Sequence, residues 1–130
     1  MVMAMSKWLK NMNLKIRIDY DDQNESFAKF LPRNSQIIQQ LTDEYGNNDW
    51  FLVKLDEPFE YQLKIGDNFQ FRLINCDKFL IRSRWKNQRV DSEEGTSVFI
   101  MLIPDELKLL NIPIRMDDYV HIAWGYVKLI

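Results

Sequence analysis

Residues 69–89, FQFRLINCDKFLIRSRWKNQR, decide how this chain is read. They read as two strands around a short turn at Asn75-Cys76-Asp77. In the second arm Lys78, Leu80, Arg82, Arg84 and Lys86 share one parity, and Phe79, Ile81, Ser83 and Trp85 share the other. Successive side chains of a strand point to opposite faces of its sheet. One face of this arm is therefore expected to bury Phe79, Ile81 and Trp85, and the other to present a row of cations to water.

The same alternation extends on both sides. Residues 14–20 (LKIRIDY) place Leu14, Ile16, Ile18 and Tyr20 on one face and Lys15, Arg17 and Asp19 on the other, the pattern of a strand with one wet face. Residues 59–65 alternate in the same way. Residues 50–55 (WFLVKL) and 97–103 (SVFIMLI) are nearly all apolar, which suits strands covered on both sides. Residues 119–130 (YVHIAWGYVKLI) read as one or two strands, broken or bulged at Gly125.

Helices are expected in three places. Asp22 and Glu25 resemble a capping box, with Phe27, Phe30 and Leu31 following at helical spacing until Pro32. Ser35 as N-cap, Ile37, Ile38, Leu41 and Tyr45 on one face, and Gly46 beyond the end predict a second helix over 35–45. Residues 105–110 supply about one turn more. About seven strands against two or three short helices give an α+β fold class: a mainly antiparallel curled sheet or small barrel with helices on one side. Residues 1–11 are expected to be an N-terminal extension, disordered or helical, and residues 12–130 a single globular domain.

The 130 residues are 46% hydrophobic and 28% charged, ordinary for a globular chain, and the 13% aromatic content lets a few large side chains supply much of the core. A net charge of −2 does not mark the whole chain as a polyanion binder, although a local patch can still act as one. The single cysteine rules out an internal disulfide and a cysteine-based zinc site within one chain. No apolar run reaches the ~18–20 residues of a membrane span, and the start of the chain has no signal-peptide pattern. The expected location is cytoplasmic, with no membrane partner.

The candidate binding residues are Arg72, Arg82, Arg84, Lys86 and Arg89, opposed within 72–89 only by Asp77. Arg82 and Arg84 on one strand face stand ~7 Å apart, a spacing close to that of nucleic-acid phosphates, and arginine forks match phosphate or carboxylate oxygens. Pairing with Glu60, Asp91, Glu93 and Glu94 accounts for the same row as a solvated face. Phe79 and Trp85 lie on the opposite parity, so no interleaving of aromatic and basic residues is expected.

Asp117, Asp118 and His121 form a D-x-x-H spacing, with no third ligand indicated for a metal. Cys76 and His121 are the sole members of their residue types, and no nucleophile elbow, phosphate-binding loop or zinc-protease motif is present. No cofactor is expected, and no family resemblance reaches the level of a motif. The leading expectation is a non-catalytic protein-interaction module, inhibitor- or immunity-like, that grips an acidic partner surface through the cationic strand face. The alternatives are a nucleic-acid-binding domain using the same arginine row, and an enzyme using Asp117, Asp118 and His121.

Overall fold

The computed structural model describes residues 14–65, 70–86, 88–103 and 113–130. They form six strands: β1 (Lys15–Asp22), β2 (Arg33–Leu41), β3 (Trp50–Ile65), β4 (Gln70–Ser83), β5 (Thr96–Leu102) and β6 (Val120–Leu129). A single helical turn, α1 (Glu25–Ala28), links β1 to β2, and a 3-10 turn (Met116–Asp118) precedes β6. Each strand pairs antiparallel with the next. β1 pairs with both β2 and β6, which closes the sheet into a barrel in sequential order.

The closed barrel overturns the α+β expectation. Strand makes up 64% of the structure and helix 7%. The helix expected over 35–45 is β2, and the reason lies in Ile37 and Ile38. Strand alternation sends these neighbours to opposite sides of the wall, and a register shift between Ile37 and Gln39 turns Leu41 to the outer side with Ile38. Ile37 enters the barrel, whereas Ile38 and Leu41 join a second apolar cluster outside it. Apolar residues at 37, 38 and 41 therefore mimic a helical face while serving two layers, and β-branched pairs favour the strand. Ser35, read as an N-cap, is fully buried, and Gly46 has its positive φ of 84° in the β2–β3 loop.

The expected count of about seven strands becomes six because two absent turns merge four strands into two, while β2 adds one. Residues 50–55 and 59–65 belong to the single strand β3, and Asn75-Cys76-Asp77 lies inside β4. At this point Lys54 pairs with Lys78 but Phe59 with Cys76, so Leu55, Asp56, Glu57 and Pro58 oppose Asp77 alone. The wide bulge resets parity: Ile74 and Cys76 face the core before it, Phe79 and Ile81 after it. A bulge bends its strand, and beyond it β3 and β4 run on together as a two-stranded arm. The expected extension over 1–11 and the helical turn over 105–110 lie outside the described residues.

Strands expected to be covered on both sides are so covered. In β3, Phe51, Val53 and Leu55 point inward while Trp50 and Leu52 join Leu80, Met101, Ile114 and Tyr119 outside. The segment carrying Ile114 docks on the β2–β3 loop through backbone hydrogen bonds, Ile114 N to Thr42 O at 2.8 Å and Glu44 N to Ile114 O at 2.9 Å. At the α1 end of the barrel Phe27 is fully buried against Phe59, Tyr61 and Phe79, and Phe30 stacks on Phe59 at 4.2 Å. Among the described residues no helix is long and apolar enough to cross a membrane.

Gly125 lies unbroken within β6, at an inward position between Ala123 and Val127. A Cβ there would stand 2.4 Å from Ile100 Cδ1 and 3.0 Å from the Asp19 carbonyl oxygen. Overpacking of this kind costs ~1–3 kcal/mol. Gly125→Ala is therefore expected to lower the unfolding free energy by that amount, seen as a lower denaturant midpoint at unchanged m-value. An unaltered midpoint would show that the seam has slack.

Candidate functional site

The cationic row does not stay together. Arg72 lies on the arm, ten residues before Arg82 along β4. β4 ends at Ser83, and the chain then turns, so Arg84, Trp85, Lys86 and Arg89 belong to the β4–β5 loop rather than to a strand face. Arg82, Lys86 and Arg89 converge on a pocket of ≈ 410 Å³ at the barrel mouth opposite α1. Arg84 stands on the outer wall. Trp85, expected in the core, is 54% exposed, because the strand that would have turned it inward has already ended.

The pocket lies between the β2–β3 and β4–β5 loops, and Asp43 fixes the first of them. Asp43 is 2% exposed, and its carboxylate accepts hydrogen bonds from the backbone N–H groups of Tyr45 and Asn47, from Asn47 Nδ2 and from Trp50 Nε1 at 2.9 Å. Burial works to raise its pKa, but the bonds from Trp50, Asn47 and Tyr45 together outweigh it and hold the carboxyl below its ordinary value. The second loop is strapped down by Thr96 Oγ1 donating to Arg89 O and by Leu129 N–H donating to Ser92 O. Val90 is 2% exposed at its centre, so a segment that reads as polar is anchored by one apolar residue.

Within the pocket Arg82 Nε donates to Asp49 Oδ2 at 2.9 Å, and Arg89 donates to both Asp91 oxygens, Nε and Nη2 each at 2.9 Å. Partly exposed pairs such as these contribute at most about 1 kcal/mol. Their effect is to hold two guanidinium groups in place.

The outer wall of β4, β5 and β6 carries a feature the sequence reading missed. Arg84 lies 4.3 Å from the Trp124 ring centroid and 5.2 Å from that of Trp85. Phe99 packs on Trp124 at 4.3 Å, and His121 meets both rings, at 5.4 Å and 5.0 Å. Tyr126, 39% exposed, extends the patch and donates its hydroxyl to Glu94 O at 2.8 Å. Aromatic and basic residues are thus interleaved after all. The signal was in β6: Trp124, Tyr126 and Lys128 share one parity, opposite the inward Ala123, Gly125 and Val127, and the lysine marks theirs as the outer face.

The carboxylate–histidine spacing assembles no comparable site. Asp117 and Asp118 sit in the 3-10 turn, while His121 Nε2 meets the Ala123 carbonyl at 3.1 Å and its ring contacts are Phe99 and Trp124. Burial pulls this imidazole below its ordinary pKa, against the opposing effect of the Ala123 carbonyl. Burial pushes the Cys76 thiol up to about 12, with Asp77 adding to the rise and Arg33 opposing it. A thiol this weakly acidic is a poor nucleophile at neutral pH. Among the described residues no group of three His, Cys, Asp or Glu side chains is placed to hold a metal ion. Comparisons with protein-family models, curated proteins and solved structures found no match to this chain.

The lowered pKa of Asp43 has a consequence for stability. A carboxyl whose folded value lies below its unfolded value of ~3.9 adds stability that is fully present above that pH and is lost as pH falls through the folded value. Asp43→Asn is expected to cost about 1–3 kcal/mol at pH 7 by leaving buried donors unpaired, and to flatten the acid limb of stability below pH 4. Parallel acid limbs in urea titrations of the two proteins would remove Asp43 from this role.

Proposed function

We propose that this chain is a non-catalytic protein-interaction module, and that its contact surface is the outer wall bearing Arg84, Trp85, Phe99, Trp124 and Tyr126. One observation carries the reading: an exposed guanidinium lies over the rings of two tryptophans, Trp85, 54% exposed, and the half-buried Trp124. Tryptophan, tyrosine and arginine are the residue types enriched among the few that dominate binding energy in protein interfaces. They present large rigid area, and the ring faces keep the arginine oriented for a carboxylate. The partner is an acidic surface with an apolar centre.

The same row of cations serves a nucleic acid less well. Arg82 and Arg89 are already paired with Asp49 and Asp91, and the chain is net negative. Single-strand binders combine stacking rings with a cationic groove that tracks the backbone. Here the rings lie on the wall, whereas three of the cations lie at the mouth. The reading also places the protein in the cytoplasm, in keeping with a sole cysteine held as a buried thiol.

The test is quantitative capture from host cytosol, followed by titration of the recovered partner in purified form. Trp124→Ala combined with Arg84→Gln is expected to weaken the complex at least ~30-fold, the loss that ~2 kcal/mol of anchor energy represents. Trp85→Ser, at an exposed position, should weaken it with stability unchanged. Phe71 and Leu73 form a separate exposed apolar patch on the arm, so Phe71→Ser with Leu73→Ser is the control and should bind as wild type. Loss of binding in the arm variant alone would move the contact there. Capture abolished by nuclease, with affinity falling linearly in log salt, would replace the protein partner with a nucleic acid.

A further inference from the structure

The pocket at the barrel mouth has no part in the wall, and we infer that it is a binding site for a small organic anion: a monocarboxylate carried on a compact apolar body. Barrel mouths are a recurrent place for small-molecule sites, and ≈ 410 Å³ falls within the ~300–1,000 Å³ such sites occupy. Phe51 and Val90, both almost wholly enclosed, supply its apolar floor. Arg82, Lys86 and Arg89 supply the charge at its rim.

Three features select the ligand. Arg82 donates its Nε–H to Asp49 at 2.9 Å, and its guanidinium lies over the Trp50 ring at 5.4 Å. A guanidinium held in this way is an oriented donor for an incoming carboxylate, and the exposed ammonium of Lys86 completes the grip. Three cations stand against two carboxylates, Asp49 and Asp91, so the site has one positive charge in excess. That balance suits a monoanion; a phosphate dianion would meet the repulsion of both carboxylates. The rim is also fixed before any ligand arrives, by the Asp43 bonds on one side and the Thr96 and Leu129 straps on the other. Little ordering is left to oppose binding.

Benzoate, its uncharged analogue benzamide and inorganic phosphate are the probes, added to the full chain and followed by NMR at the Val90 methyls and by calorimetry. Benzoate is expected to bind saturably in the millimolar range, with benzamide and phosphate each at least ten-fold weaker. Arg82→Gln with Lys86→Gln should reduce benzoate affinity at least ten-fold. Lys86→Gln alone, at an exposed position, should reduce it three-fold or more with no change in Tm, so the test survives if the double variant folds poorly. Equal affinity for benzoate and benzamide, tighter binding of phosphate, an unaffected Lys86→Gln variant, or no saturation by ~10 mM benzoate would each overturn the assignment. None of these results bears on the wall, where Arg84 and Trp124 stand apart from the pocket lining.

Discussion

Everything in this molecule depends on β1 being hydrogen-bonded along both edges. Ile16, Arg17 and Ile18 pair with Ser35, Asn34 and Arg33 of β2 on one side and with Leu129, Lys128 and Val127 of β6 on the other. An open sheet of six strands would leave two rows of backbone donors and acceptors exposed, which invites pairing with other chains. Closure turns both rows inward on each other and encloses an apolar interior in which Ile16, Ile18, Ile100 and Val127 are fully buried. The wall and the mouth are then two different surfaces of one rigid cylinder, and that is why the cations of a single stretch of sequence part company at Ser83.

The second apolar cluster gives this cylinder its asymmetry. On the β2, β3, β4 and β5 side the outward residues Leu41, Trp50, Leu80 and Met101 are covered by the segment around Ile114 and Tyr119. On the β5 and β6 side the outward residues Phe99, Trp124 and Tyr126 lie open to differing degrees. The first set buys no contact with the outside and works as core. The second keeps the chemistry of an interface, with rings and a guanidinium at the surface.

How far the sequence spoke for itself depended on whether a strand had one neighbour layer or two. β1 was legible because its outward face is wet, so Lys15 and Arg17 alternate visibly with Ile16 and Ile18. β5 and the start of β3 were legible because two-sided burial leaves continuous apolar runs. β2 was not, since Ile37 and Ile38 serve different layers across a bulge and together imitate a helix. The bulge opposite Asp77 reads as a turn for good chemical reasons: Asn75-Cys76-Asp77 has turn composition, and a parity reset is what a hairpin also produces. Trp85 was misplaced for a simpler reason, because alternation was extended two residues past the end of its strand. Of the binding residues read from the row, Arg82, Lys86 and Arg89 do meet around one pocket, whereas the aromatic partners of Arg84 come from β5 and β6 and were out of reach of any local pattern.

The wide bulge in β3 divides the molecule mechanically. Within the barrel, no strand can peel away without breaking two ladders at once, so the cylinder opens as a whole or not at all. Past the bulge the two strands pair only with each other among the named strands; Tyr61 and Ile74 still pack in the core, and the exposed Phe71 and Leu73 mark where the arm leaves it. Amide protons in the arm can therefore exchange with water through local fraying, while those of the closed seam wait for global unfolding. One continuous pair of strands thus spans two grades of stability, and Pro58 stands at the border between them.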